Sequence, residues 1–318
     1  METRQRKSDI VFYLLMTAAM LLWSGSWISG KLVSSAAGPE ILVFWRFSLS
    51  FLSFLPITAI AALRSRKPAE PGSRHRTGSR RLIPVFWIVL SAILLITYNR
   101  LFFSALSSGL AGKGGMIVTT LNPLFSLLIA IVFLKERLNA LQTTGLVLGV
   151  FGGLILIEPW SYTMEELITG GNLLFLSAAL AWALLTTASH KAQHYFSPVF
   201  YNFFLYGSAT VINLVFFSDA DTFAVHRFSA NFWINTCYLA FLGGSVGAGL
   251  YFFAAKKIGS GKAGSFTFLV PGLAVLLAWI ILDEIPEMTT IVGGIMAVSA
   301  VWLINRAGKD LPQKLKER

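Results

Sequence analysis

Two stretches of the chain are variants of one pattern. In the first, an apolar run carries Asn122-Pro123 in its middle, closes with Leu134-Lys135-Glu136, and leads into a Gly-rich apolar run from Leu141 to Ile157. In the second, Val270-Pro271 sits mid-run, Leu282-Asp283-Glu284 closes it, and a Gly-containing run from Thr289 to Ile304 follows. Proline and glutamate stand 13 positions apart in both. Proline has no N–H to donate, so the pattern predicts an interrupted helix at Pro123 and at Pro271, in a chain of two related halves.

The repeat extends further. A shift of 159 lays Trp23 on Trp182 and Pro39 on Pro198; a shift of 149 lays Gly112, Lys113 and Gly115 on Gly261, Lys262 and Gly264. Between the paired stretches the chain is a succession of apolar runs, with only 13% of residues charged against roughly 25% in soluble domains. Spans are expected at about 10–33, 40–62, 83–106, 114–134, 140–157, 171–190, 198–217, 232–254, 263–282 and 288–304, each near the ~20 residues a bilayer requires. The first is too long for a signal-peptide core and is read as helix 1. The expected fold is all-α and membrane-embedded, ten transmembrane helices as two five-helix repeats (10–157 and 171–304). Five spans per half is an odd number, so the halves enter the membrane from opposite sides as an inverted repeat.

Charge gives the orientation. The basic segment 63–82 holds Arg64, Arg66, Lys67, Arg74, Arg76, Arg80 and Arg81 and is expected on the cytoplasmic side. Alternation from there puts 21 of the 26 basic residues and both termini inside. The net charge of +11 therefore expresses topology rather than a nucleic-acid surface. A single cysteine, Cys237, excludes a disulfide framework and any multi-cysteine metal site.

Trp23-Ser24-Gly25-Ser26 with Lys31, Arg46-Phe47, Asn99 with Leu101-Phe102-Phe103, and Asn122-Pro123 through Glu136-Arg137-Leu138 together resemble the drug/metabolite transporter superfamily, in its ten-helix branch with two EamA domains. The resemblance covers about residues 10–306. It implies a helical bundle with a central cavity, alternating access, and export of amino acids or other small metabolites across a bacterial inner membrane.

Candidate cavity residues follow from depth and polarity. Trp23 and Trp182 fall near the middle of their spans, where tryptophan is unusual, and form either a paired aromatic wall or core packing. Tyr98, Asn99 and Arg100 are the most polar island inside any span and are expected to face the bundle interior. Asn122 precedes the first interruption; Thr120, Tyr251 and Thr267 flank the interruptions. Arg46 and Arg100 either snorkel to the interface or, facing the cavity, favour a carboxylate or phosphate. Pro123 and Pro271 are the candidate hinges. Every Asp and Glu lies at a span end or in a loop, which argues against obligatory proton exchange through a midplane carboxylate.

Other chemistry finds no support. The glycine-rich segments 109–114 and 259–263 lack the spacing of a phosphate loop. His190 and His194 are i, i+4 without a third ligand, so no metal or other cofactor is expected. Gly145, Gly149 and Gly153 are spaced for close helix packing, within the chain or in a homodimer. All four histidines lie in loops or at span ends, so catalytic groups at membrane depth are missing and an enzyme is not expected. A small-molecule substrate and the lipid bilayer are the expected partners.

Overall fold

The computed structural model describes residues 2–64, 82–134, 139–163, 165–166, 171–247, 250, 266–267 and 269–309. The first half comprises α1 (Glu2–Ser34), α2 (Pro39–Arg64), α3 (Leu82–Ser108), α4 (Ala111–Leu134) and α5 (Ala140–Ile157). The second comprises α6 (Asn172–Ala192), α7 (Pro198–Phe216), α8 (Ala230–Cys237, continued by a π-helix over Tyr238–Val246), α9 (Leu269–Leu282) and α10 (Met288–Lys309). No strand occurs among the described residues. By length and apolarity α2, α3, α5, α6 and α7 can each cross a membrane; α9 and the apolar part of α10 are shorter. The basic segment 65–81 and the closing sequence Lys135-Glu136-Arg137 lie outside the described residues.

Local chemistry sets the ends of these helices. Asn139 and Gln142 form a reciprocal capping box at the start of α5. Its other end closes at Glu158, whose backbone is left-handed (φ 53°) with its N–H on the Leu154 carbonyl. Ser229 caps α8 through the Phe232 N–H.

Packing relates the halves pairwise. α3 packs on α6 as α8 packs on α1; α4 packs on α6 as α9 packs on α1; α3 packs on α7 as α8 packs on α2. The remaining principal contacts join α2 to α7, α4 to α9 and α5 to α10, each helix meeting its own repeat counterpart. The main core gathers around α3, where Phe102 packs at a tilt against Trp27 (4.9 Å between ring centres) and Phe103, Ala105 and Leu106 are buried.

The α5–α10 contact is the closest. A Cβ on Gly152 would lie 2.9 Å from the Ala297 nitrogen, and one on Gly293 would lie 2.9 Å from the Gly152 carbonyl oxygen, so the two backbones touch. Gly145 faces the same helix, against Ile304 and Ala300, whereas Gly149 and Gly153 face Leu124 and Leu121 of α4. All five glycine contacts are made within the chain.

The expected interruptions take a different form. α4 runs through Pro123 as one helix. Pro123 removes the N–H that would bond the Thr119 carbonyl, and the helix tolerates the loss. Pro271 falls in the first turn of α9, where a missing N–H costs little. Among the described residues, the departure from α-helical geometry lies elsewhere, in the π-helical Tyr238–Val246.

Replacing Gly152 or Gly293 with leucine should lower the melting temperature of the purified protein, since overpacking costs about 1–3 kcal/mol or more where the obstacle is backbone. Gly272→Ala, where a Cβ meets nothing within 4 Å, should leave it unchanged or raise it slightly.

Candidate functional site

Three helices meet around one cation. Arg46 of α2 is half-buried and donates through Nη1 to the Asn99 side-chain oxygen of α3 at 2.8 Å. Asn99 is buried and donates its own amide to the Leu95 carbonyl at 2.9 Å, so its oxygen is fixed toward the guanidinium. The Arg46 head lies 5.8 Å from the centre of the Phe102 ring and 5.9 Å from Phe103. Tyr98 of α3 and Tyr206 of α7 stand within electrostatic range of its charge. No carboxylate pairs with Arg46 among the described residues.

Trp182 of α6 extends this cluster, its ring 4.7 Å from that of Tyr98. α6 is exposed along two faces. Leu173, Leu180 and Leu184 form one apolar stripe; Trp182, Thr186 and Gln193 lie on the opposite side, since two residues turn a helix by about 200°. The first stripe is uniformly apolar and suits lipid, whereas the second mixes Trp182 with the polar Thr186 and Gln193.

The repeat carries an equivalent contact. A Cβ on Gly247, at the end of the π-helix, would come within 2.9 Å of the Trp23 indole nitrogen. Residue 247 is 149 positions after Tyr98, and Trp182 is 159 after Trp23, the two offsets of the repeat. One half thus sets a tryptophan against tyrosine and the other sets a tryptophan against glycine. Beside Trp23, Ser24 donates to the Val270 carbonyl at 3.2 Å, tying α1 to the residue before Pro271.

The expected polar island divides in two. Tyr98 and Asn99 join Arg46, but Arg100 turns away: it pairs with Glu40 in the first turn of α2, and its guanidinium lies 4.5 Å over the Phe217 ring. Of the two arginines read as equivalent in the sequence, one faces the interior and the other belongs to an end of the bundle. Asn122 is half-buried, with Ser126 donating to its side-chain oxygen at 3.4 Å. Thr120 is buried and bonds the Met116 carbonyl of its own helix. Thr267 accepts from the Val270 N–H through its backbone. Tyr251 lies outside the described residues.

The end of the bundle holding Glu40 is closed by further contacts whose pairings the sequence did not show. Lys31 donates to the Leu106 and Gly109 carbonyls, both at 2.8 Å, closing the C-terminus of α3. The Glu284 carboxylate accepts from the Ala111 and Gly112 N–H groups at 3.0 Å each, capping α4 across the repeat. Lys113, buried, bonds Glu287 at 2.9 Å and lies 3.8 Å from buried Glu158. Over α2, the Trp45 indole donates to the Thr222 carbonyl in the loop after α7, and Phe44, Phe223 and Trp233 pack around that joint. Asp219 accepts from the Thr222 backbone and hydroxyl, which hold its carboxyl below the usual range, so this turn keeps its support down to acid pH.

Comparison with known proteins follows the same outline. The model of the EamA-like transporter family matches residues 11–157 and 169–306. YoaV, an uncharacterized transporter of Bacillus subtilis (strain 168), is 22% identical over 287 residues, spanning 89% of this chain and 92% of its own. A probable terminal-alkyne amino-acid exporter of Streptantibioticus cattleyicolor is 25% identical over 206 residues, 62% of this chain and 64% of that protein. A crystal structure at 19% identity shares the fold with a TM-score of 0.56, covering 95% of this chain and 99% of the other.

Lys113→Met should destabilise the protein by about 3 kcal/mol, because Glu158 is then left buried and uncompensated. The double variant K113M/E158Q should recover most of the loss, which thermal unfolding of the two proteins in detergent would measure.

Proposed function

Because the chain belongs to the EamA-like transporter family, we propose that it exports amino acids or related carboxylate-bearing metabolites across a bacterial inner membrane by alternating access. The observation that carries this reading is Arg46, a half-buried guanidinium oriented by Asn99, surrounded by aromatic side chains and unpaired by any carboxylate among the described residues. A fixed charge inside a membrane bundle needs an anion, and a transported carboxylate supplies one. The aromatic surface of Tyr98, Phe102 and Trp182 suits an apolar side chain. The named amino-acid exporter among the relatives supports the same class.

In this reading ten spans form an inverted repeat with both termini in the cytoplasm. The pairwise packing of counterpart helices supports the two-fold relation. With that orientation the polar face of α6 opens inward, while the Glu40, Lys113, Glu284 and Trp45 contacts close the outer end. Trp23, Asn122, Tyr251 and Thr267 would meet the substrate from the other half of the cavity. Pro123 and Pro271, joined by the π-helical turn of α8, would be the flexible points. Neither a cofactor nor a driving ion is required for export down a gradient.

The alternative is a proton-coupled exporter of organic cations. Arg46 disfavours it by repulsion, and Glu40, Glu284 and Glu287 are all engaged with partners.

Counterflow of radiolabelled L-phenylalanine in proteoliposomes is the direct test. Saturable uptake is expected, independent of an imposed pH gradient. Arg46→Gln should reduce it at least about tenfold at equal reconstituted protein, the scale of a lost charge-assisted hydrogen bond. Uptake of an organic cation driven by the gradient, with no carboxylate signal, would favour the alternative.

A further inference from the structure

Four buried polar atoms at the outer end of α3 and α7 have no hydrogen-bond partner: Nη1 of Arg100, Oγ1 of Thr210, and both Oδ1 and Nδ2 of Asn213. Asn213 is completely buried. Nothing in helix packing requires an asparagine with both amide atoms unbonded in the interior of a membrane protein, where an apolar residue of similar size would cost less.

Their positions are related. Tyr206, Thr210, Asn213 and Phe217 recur at spacings of four, three and four and therefore share one face of α7 and its C-terminal cap. At one end of this stripe Tyr206 stands in the field of Arg46. At the other, Phe217 lies under the Arg100 guanidinium. The stripe is about 16 Å long, at 1.5 Å per residue. On α3 the residues that engage the two ends of this path are neighbours, Asn99 bonding Arg46 and Arg100 bonding Glu40.

We propose that Arg100, Asn213 and Thr210 form a second carboxylate station, through which substrate leaves Arg46 for the outer face, and that Glu40 occupies Arg100 between passages. This rests on the export reading above and adds a path and a gate to it. Arg100 Nη1, Asn213 Nδ2 and the Thr210 hydroxyl are donors, and three donors suit the two oxygens of a carboxylate. Arg100 balances one negative charge, which Glu40 already supplies. An arriving carboxylate must therefore displace Glu40, and Glu40 must return when substrate is released. The half-exposed Glu40 side chain, in the first turn of α2, is free to swing into solvent.

The test uses the full-length protein in oriented proteoliposomes with L-phenylalanine as probe. Glu40→Gln should lower the half-saturating concentration for entry from the outer face about five- to tenfold and slow the maximal rate, because the carboxylate is no longer displaced from Arg100. The double variant E40Q/R100Q removes the ion pair without leaving a lone charge. It should keep wild-type thermal stability yet lose about tenfold in counterflow, a deficit that a purely structural ion pair would not produce. Asn213→Leu and the nearly isosteric Thr210→Val should slow release toward the outer face without changing phenylalanine binding at the inner face. If E40Q/R100Q and Thr210→Val both transport at the wild-type rate while Arg46→Gln is inactive, the second station is wrong and the export reading stands. If wild-type protein moves no phenylalanine, or Arg46→Gln moves it normally, the export reading itself falls.

Discussion

A polar group inside a bilayer can be bonded only by the protein, and the arrangement of this chain follows from how that demand is met. Backbone groups meet it by forming helices. Side chains meet it by reaching to a neighbouring helix: Ser24 to the Val270 carbonyl, Lys31 to the last turn of α3, Glu284 to the first turn of α4, Asn99 to Arg46. Each of these bonds ties a helix to another helix or to the connection after one, so polar satisfaction and helix placement are one process. Small residues then let the helices approach; at Gly152 and Gly293 the two backbones are in direct contact.

Much of this was legible in the sequence. Asn99 and Tyr98 stand out because an amide and a phenol within a spanning run have no solvent to turn to; Asn99 bonds Arg46, and Tyr98 lies within range of its charge. The all-helical architecture followed from the apolar runs, and the described helices fall on those runs, while 248–249, 251–265 and 268 lie outside the described residues. The partners of the charged residues were not legible. Lys31 bonds a carbonyl 75 positions away and Lys113 a carboxylate 174 positions away, and neither distance leaves a local pattern. Arg46 and Arg100 looked alike by depth, and their partners separate them: Asn99 for Arg46, and Glu40 in the first turn of α2 for Arg100.

Proline was the least reliable sign. An interruption at Pro123 was expected from a missing donor, but one absent N–H deprives a single carbonyl, and a helix packed between α6 and α9 continues past it. The irregular turn lies instead at Tyr238–Val246, where Tyr238 bonds the Leu22 carbonyl and Ser245 bonds Ser53. Those bonds hold the widened turn against α1 and α2. The local sign was Gly243-Gly244-Ser245, since glycine–serine pairs loosen a helix, and it was not read as an interruption.

The pairing of Trp182 with Tyr98 in one half and of Trp23 with Gly247 in the other has a thermodynamic consequence. A carrier with two equivalent halves presents the same site to both sides of the membrane and binds its solute equally from either. Where one half offers a phenol and the other a bare backbone, the two orientations differ in intrinsic affinity. Detailed balance forbids such a difference from pumping anything on its own; it fixes instead the fraction of time the empty protein spends facing each side. In a protein that alternates access as proposed above, the difference between Tyr98 and Gly247 would bias the resting orientation, and with it the compartment in which solute is captured first.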